Sequence, residues 1–301
     1  MRSFLLLWCI SIISFTNAQP YILVLGTAQD AGFPHIGCKN ECQLAFETPE
    51  LKRFVVSLAL VDPESQKWWM FEATPDMDDQ LQYFHEQTNW EYEYLPEGIF
   101  LTHAHIGHYV GLMTLGREAI HASNVKVYSL PKMREYLKTN GPWSQLVSLN
   151  NVDLIDCRAD QKIKLTNSLS VTPFAVPHRD EFSETAGFKI ETSENSYLFI
   201  PDINKWELWN RSVVEEVKEV DFAFLDASFF QDGEIPGRSI KDIPHPFVVE
   251  TMQLFSKESD DVKSKVHMIH FNHTNPLLFD DEKRQEVIRN GFNLAEQGDR
   301  Y

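Results

Sequence analysis

The chain has 301 residues, of which 27 are Lys or Arg and 44 are Asp or Glu, so its formal net charge is −17 at pH 7. This acidic balance argues against a general nucleic-acid-binding protein, because such proteins neutralise phosphates with clustered basic side chains. The hydrophobic fraction of 43% argues against a disordered chain, because burial of that much apolar surface offsets the entropy lost on folding.

The first 18 residues have the pattern of a secretory signal. Arg2 precedes an apolar run over residues 4–15, and the small residue Ala18 stands just before Gln19. We therefore expect residues 1–18 to be removed on export to the periplasm or the exterior, which leaves residues 19–301 as a single domain. The run is shorter than the roughly 20 residues of a transmembrane helix, so we expect no stable membrane insertion. An uncleaved anchor is the alternative.

Strands and helices are predicted from the spacing of apolar residues. Apolar runs rich in β-branched and aromatic residues predict strands at 21–26, 54–61, 68–72, 98–102, 125–130, 169–175, 186–191, 197–201, 221–226 and 266–271. Helical spacing predicts helices at 77–87, 109–119, 132–138, 206–218, 245–257 and 281–290. Strands follow one another first and alternate with helices later, which predicts packed sheets covered by helices. Gly and Pro predict a long surface loop at 232–246.

Three of the 11 His residues lie close together after a predicted strand. His103 and His105 directly follow the strand at 98–102, and His108 precedes the next predicted helix. Two imidazoles at a strand end converge when the chain leaves its extended form, and a third on the following helix faces the same point. Imidazole is the common ligand of zinc and of several other transition metals. The alternative is a chance cluster of surface histidines.

Further polar residues stand at the ends of other predicted strands. His178, Asp202 and His270 each follow or close such a strand. Each alone is more often a capping or core residue, but loops at one end of a sheet are where ligands converge. Asp226 closes another strand and is a candidate hydrogen-bond partner for a ligand His. His245, on the long loop, is a candidate proton donor.

These segments together resemble a known superfamily. The His box at 103–108, the lone His178, Asp202 and the segment His-Phe-Asn-His-Thr-Asn-Pro at 270–276 are similar to the metallo-β-lactamase superfamily. Within it they most resemble proteins of the pyrroloquinoline quinone biosynthesis protein B type and phosphoribosyl cyclic phosphate phosphodiesterases. The resemblance covers nearly all of the chain after residue 20 and implies an α+β fold, the four-layer αβ/βα sandwich.

The resemblance also implies how the metal ligands divide between two ions. The first ion would be held by His103, His105 and His178. The second would be held by His108, Asp202 and His270, with Asp202 bridging the two. Gly107 stands where the His box of the superfamily carries Asp, so we expect the second site to be weaker, or filled only when substrate adds an oxygen. Asp30 is a candidate replacement, although such an Asp more often caps a turn.

The resemblance further implies a structural zinc site. Its ligands would be Cys38, Cys42, His273 and, as the nearest candidate for the fourth position, His35. Structural zinc sites take four Cys or His ligands. The alternative is a disulfide between Cys38 and Cys42, which an exported protein can form. We expect Cys157 to be buried packing.

This ligand set predicts a hydrolase. A zinc held by neutral imidazoles lowers the pKa of coordinated water from 15.7 to about 7, which supplies a nucleophile at neutral pH. We therefore predict a zinc-dependent hydrolase of a small, anionic ester, lactone or phosphodiester, with iron or manganese as alternative metals. An iron-dependent oxygenase like those of the quinone-biosynthesis branch and a non-catalytic binding protein are the two alternative functions.

Overall fold

A computed structural model describes residues 19–235, 237, 239 and 243–301. The predicted secretory signal at 1–18 lies outside these residues. No helix in the described part of the chain is long and apolar enough to cross a membrane.

The first sheet contains six strands in the order β1 to β6. They span Tyr21–Gly26, Ser57–Asp62, Lys67–Phe71, Gly98–Phe100, Val125–Ser129 and Val152–Asp156. The pairs β1–β2 and β2–β3 are antiparallel, whereas β3 to β6 run parallel to one another. Nearly every residue of β1 and β2 is buried, because this sheet is covered on both faces.

The second sheet contains seven strands, which lie in the order β13 to β7. In chain order, β7 to β13 span Ile163–Lys164, Ser170–Val176, Thr185–Glu191, Ser196–Ile200, Phe222–Asp226, Val266–Ile269 and Asn293–Leu294. The strands β7 to β10 pair antiparallel, and β10 to β13 pair parallel. Each sheet is therefore mixed, and β8, β10, β11 and β12 all point in one direction.

Helices cover the outer face of each sheet. The helices α1 to α9 span Gln43–Glu47, Met77–Gln87, Ile106–Tyr109, Pro131–Thr139, Trp143–Ser148, Val213–Lys218, Val248–Leu254, Asp260–Lys263 and Asp281–Arg289. Short 3-10 turns add Pro49–Leu51, Val110–Leu115, Trp206–Leu208 and Pro276–Leu278. One core lies between the sheets, and two further cores lie between each sheet and its helices. The result is the predicted α+β arrangement of four layers.

Aromatic rings fill the space between the two sheets. Phe71 of β3 stacks on Phe100 of β4 with ring centroids 4.9 Å apart, and Phe188 of the other sheet meets both rings edge-on. Such rings bury large apolar areas and pack in offset or edge-to-face pairs. This packing fixes one sheet against the other and so fixes the relative positions of their strand ends.

Three predicted helices are shorter than expected. The one predicted at 245–257 forms α7 only over Val248–Leu254. The segment predicted as 109–119 continues from α3 as a 3-10 helix, and a Cβ added to Gly111 would lie 2.1 Å from the Thr74 backbone oxygen. This close approach packs the segment against the chain that follows β3. The segment predicted as 206–218 is divided, because Ser212 starts α6 by accepting a hydrogen bond from the Glu215 amide.

Candidate metal centre

Four of the predicted ligands meet at one edge of the sandwich. His103 and His105 follow β4, His178 follows β8, and Asp202 follows β10. Their ligand atoms all lie within 4.8 Å of one another. His105 Nδ1 is 2.7 Å from His103 Nε2 and 3.2 Å from His178 Nε2. Asp202 Oδ2 lies 3.3 Å from His103 Nε2 and 3.2 Å from His178 Nε2.

Hydrogen bonds aim two of these rings at the common point. The Thr102 hydroxyl lies 2.8 Å from His103 Nδ1, and Asn204 Oδ1 lies 3.2 Å from His178 Nδ1. In both rings the opposite nitrogen, Nε2, faces Asp202. A partner on one ring nitrogen sets the tautomer and the orientation of the other, as at metal sites generally.

A second group adjoins the first through Asp202. His108, on α3, and His270, directly after β12, offer ligand atoms within 4.8 Å of each other and of an Asp30 carboxylate oxygen. His108 Nε2 lies 3.7 Å from Asp202 Oδ2 and 3.4 Å from Asp30 Oδ1. The carboxylate of Asp202 therefore lies between the two groups of ligand atoms, and its bridging of two metal ions stays a prediction.

Two further side chains orient the second group. The Ser228 hydroxyl lies 2.9 Å from His270 Nδ1 and donates to Asp226 Oδ1 at 2.7 Å. Glu72, buried directly after β3, places Oε1 3.3 Å from His108 Nδ1. Glu72 and His270 both adopt left-handed backbone angles, with φ of 74° and 69°. Such conformations cost about 1–3 kcal/mol each and are concentrated at functional sites.

The charges at the centre favour a cation. Glu72, Asp202 and Asp226 are buried carboxylates, and the described residues include no buried Lys or Arg. Buried charges in proteins are paired or bind metals. Burial, helped by the charge of His108, holds the pKa of His103 well below its usual range, so this ring is neutral as a metal ligand must be. Burial also lowers the pKa of His105.

The second group attracts positive charge more strongly than the first. Burial alone would lower the pKa of His108, but the carboxylates of Glu72 and Asp30 raise it well above its usual value. Burial alone would raise the pKa of Asp202, but the charges of His178 and His245 hold it well below its usual value. The pKa values of Asp30 and Asp202 are both lowered, so these two carboxylates favour a cation beside them, which is either a proton on His108 or a metal ion.

His245 and Asp226 form a buried pair beside the two groups. His245 Nδ1 lies 2.8 Å from Asp226 Oδ2 and 3.3 Å from Asp202 Oδ1. Burial opposes protonation of His245, but these two carboxylates raise its pKa to about 9. Asp226 also accepts a hydrogen bond from the Ile203 amide, so its position is fixed by the backbone. The structure thus places Asp226 next to His245 and, through Ser228, next to His270.

The residues of the predicted structural zinc site lie near one another. The His35 ring stacks on the His273 ring with centroids 4.1 Å apart, and the His35 amide lies 3.3 Å from Cys42 Sγ. Cys38, Cys42 and Cys157 are free thiols. Within the described residues, the groups of ligand atoms that converge within 4.8 Å do not include this set. Zinc binding by these residues therefore stays a prediction.

The spacing of the ligand atoms fits a metal ion. Zinc binds imidazole nitrogen at about 2.0–2.1 Å, so two ligand atoms of a tetrahedral ion lie about 3.3 Å apart. The contacts in the first group run from 2.7 to 3.3 Å. In the second group, His270 Nε2 is fully buried without a hydrogen-bond partner. A buried polar atom without a partner is costly unless a ligand or ion satisfies it.

Three residues of the centre were missed or undervalued by the sequence. Glu72 closes an apolar strand with a carboxylate, which is the same signal that identified Asp226. Ser228 stands two residues after Asp226 and carries no signal of its own. Asp30 was a candidate replacement for the missing carboxylate but was more readily explained as a turn cap, and its buried Oδ1 has no hydrogen-bond partner.

Comparisons with known proteins identify the fold. A family model described as "Beta-lactamase superfamily domain" matches residues 67–272. Coenzyme PQQ synthesis protein B of Methylorubrum populi is 24% identical over 306 residues, which cover 92% of this chain and 98% of that protein. The protein of the same name from Gluconobacter oxydans is 25% identical, and its alignment covers 92% of this chain and 96% of that protein.

Solved structures share this fold. The crystal structure of Zn(2+)-bound PqqB from Methylobacterium extorquens has a TM-score of 0.77 at 20% identity, over 93% of this chain and 99% of that one. A diphosphatase from the PhnP family has a TM-score of 0.66 at 19% identity, over 94% of this chain and 97% of that one. The metallo-beta-lactamase fold protein YhfI of Bacillus subtilis has a TM-score of 0.61 at 11% identity, over 94% of this chain and 99% of that one. The predicted metallo-β-lactamase fold is therefore confirmed.

Proposed function

Because this chain belongs to the beta-lactamase superfamily, we propose that it is a metal-dependent hydrolase of a small anionic substrate. The clustered His and Asp side chains support a metal cofactor, and the zinc in the similar PqqB structure favours zinc among the candidate metals. We further propose export through the segment 1–18.

The observation that carries the proposal is the shared carboxylate of Asp202. It is 3% exposed. Its Oδ2 lies 3.2–3.7 Å from the Nε2 atoms of His103 and His178 in the first group and of His108 in the second. One metal would be held by His103, His105 and His178, and a second by His108 and His270. When bound, such metals lower the pKa of coordinated water to about 7 and polarise the bond to be cleaved.

A cavity beside the centre supplies the substrate site in this proposal. Gln29, Arg179, His245 and Asn272 are among the described residues that line its volume of about 270 Å³. The Arg179 guanidinium lies 3.5 Å from His105 Nδ1, at the edge of the first group. A guanidinium binds carboxylate or phosphate oxygens through paired hydrogen bonds. We therefore propose that Arg179 binds the anionic part of an ester, lactone or phosphodiester.

His245 is the proton donor in this reaction. Asp226 Oδ2 lies 2.8 Å from its Nδ1, and this carboxylate raises the pKa of the ring, which favours the protonated form that a general acid requires. The ring also lines the cavity, so a substrate there is within its reach. Protonating the leaving oxygen removes the charge that develops on it, which is the usual contribution of a general acid.

The test is the double substitution His103→Ala and His105→Ala. We expect this variant to lose the metal of the first site and its turnover of phosphodiester and ester substrates. The matched control is His121→Asn at an exposed His outside the centre, because Asn tolerates its positive φ. If the double variant retains the metal content and turnover of the wild type, the proposal is wrong.

A second candidate function follows from the curated relatives. Identity of 24–25% over 92% of the chain to proteins named for coenzyme PQQ synthesis supports a role in cofactor synthesis. The resemblance of the His box and the segment at 270–276 to the quinone-biosynthesis branch implies that this role would be an iron-dependent oxygenation. His and carboxylate ligands suit iron as well as zinc. Metal analysis of protein purified from its own compartment separates the two functions. Iron with oxygen consumption supports the oxygenase, zinc with hydrolysis supports the hydrolase, and neither activity supports a non-catalytic binding protein.

A further inference from the structure

The space beside His108 that a side chain at position 107 would fill is taken by another residue. A Cβ added to Gly107 would lie 2.3 Å from Asp30 Oδ1 and 2.6 Å from Asp30 Cα. Both distances are far below ordinary van der Waals contact. The turn after β1 therefore places the Asp30 carboxylate against Gly107, the position of α3 that carries no side chain.

The Asp30 carboxylate points into the second group of ligand atoms. Its Oδ1 lies 3.4 Å from His108 Nε2, and Asp30, His108 and His270 each offer one ligand atom within 4.8 Å of the others. The same Oδ1 is shielded from solvent and has no hydrogen-bond partner. A side chain that capped its own turn would bond a neighbouring amide, and Asp30 does not.

The other two members of the group are poised for a ligand. His108 and His270 are fully buried, and their Nε2 atoms have no hydrogen-bond partner. Their Nδ1 atoms face Glu72 and Ser228, which leaves Nε2 directed at the shared space. Three unpartnered atoms from three separate elements, one of them a carboxylate oxygen, are a donor set that suits a divalent cation.

We infer that Asp30 is a ligand of the second metal and supplies from the β1 turn the carboxylate that position 107 lacks. This inference rests on the proposed metal centre and makes its second site complete without substrate. Four ligands then surround that site: Asp30, His108, Asp202 and His270. The weakness expected of the second site from Gly107 is compensated by a residue far away in the chain.

The inference is tested by zinc binding to Asp30→Asn, which keeps the size of the side chain and removes its charge. Zinc content after dialysis and zinc affinity in competition with a chelator are measured on the full-length protein. The matched control is Asp79→Asn, an exposed carboxylate on α2. Circular dichroism and thermal unfolding verify that both variants fold.

We expect Asp30→Asn to keep the most tightly held zinc of the centre and to lose affinity for the second by at least about tenfold. Loss of a residue that only orients a ligand already costs 10–100-fold, so a direct ligand costs no less. Asp79→Asn should bind as the wild type does. If Asp30→Asn binds both ions with wild-type affinity, the inference is overturned and the hydrolase proposal stands. If the wild type binds no zinc that depends on His103 and His105, both fail.

Discussion

The close approach of Asp30 to Gly107 predicts that even one methyl group at position 107 is harmful. In Gly107→Ala the new Cβ would lie 2.3 Å from Asp30 Oδ1 and 2.6 Å from Asp30 Cα. Restoring ordinary contact requires the turn and the helix to separate by about 1 Å, and overpacking of this kind costs about 1–3 kcal/mol. The gain in helix propensity is at most about 1 kcal/mol and is small in a helix of one turn.

We therefore expect Gly107→Ala to lower the free energy of unfolding by about 1–2 kcal/mol and the melting temperature by about 2–8 °C. Urea denaturation in the presence of a chelator measures the steric effect without the contribution of bound metal. Zinc affinity of the second site should fall as well, because Asp30 is pushed away from His108. Adding Asp30→Ala should restore stability only in part, since the contact with Cα persists. A variant as stable as the wild type, with unchanged zinc affinity, would show that Asp30 does not pack against position 107.

Three other predictions test the fold and the centre. Burial lowers the pKa of His267 to about 4, so the unfolded chain binds the proton more strongly and stability falls as the pH drops from about 6.5 towards 4. Urea denaturation with a chelator measures the free energy of unfolding at pH 7 and pH 5. Between these pH values the wild type should lose about 2 kcal/mol more of this free energy than His267→Phe does, and equal losses would contradict the prediction. Phe188→Ala should lower the free energy of unfolding by about 3–5 kcal/mol in the same measurement, because its ring fills the core between the sheets. A loss below about 1 kcal/mol would show that the rings do not hold the sheets together. Ser228→Ala removes the hydroxyl beside His270 Nδ1 and should weaken the second zinc about 10–100-fold in chelator competition, with the first zinc as internal control.

The positions of most centre residues follow from the sequence because strand ends are predictable. His103, His178, Asp202 and His270 each come within a few residues after an apolar strand, and parallel strands end at the same edge of a sheet. The sequence therefore predicts that these side chains meet, although it contains no information on distances. Within the second sheet, β8, β10, β11 and β12 run in the same direction, which brings the ends that carry His178, Asp202 and His270 to one edge.

Asp30 shows what the sequence does not determine. An Asp in a turn is ordinarily explained by local capping, and nothing near it in the chain marks it as a ligand. Its role depends on how closely the turn after β1 packs on α3, which is decided by tertiary contacts between distant segments. Gly107 is informative only in combination with Asp30, because the missing side chain at position 107 lets the Asp30 carboxylate approach α3.

The helix predicted at 206–218 was too long for a related reason. Apolar spacing continues through the segment, but Ser212 caps α6 and separates it from the turn at Trp206–Leu208. The Trp206 indole donates a hydrogen bond to the Thr251 hydroxyl at 2.9 Å, which anchors that turn to α7. Such a tertiary anchor overrides local helical spacing and cannot be derived from it.

The proposed metal centre requires that histidines distant in the chain surround shared metal ions. It is tested most directly by a crystal structure of the zinc-loaded protein with anomalous scattering recorded at the zinc edge. We expect one peak among His103, His105 and His178 and a second beside His108 and Asp30. A zinc-loaded crystal without anomalous density between these side chains, or with the rings turned onto main-chain groups, would contradict it.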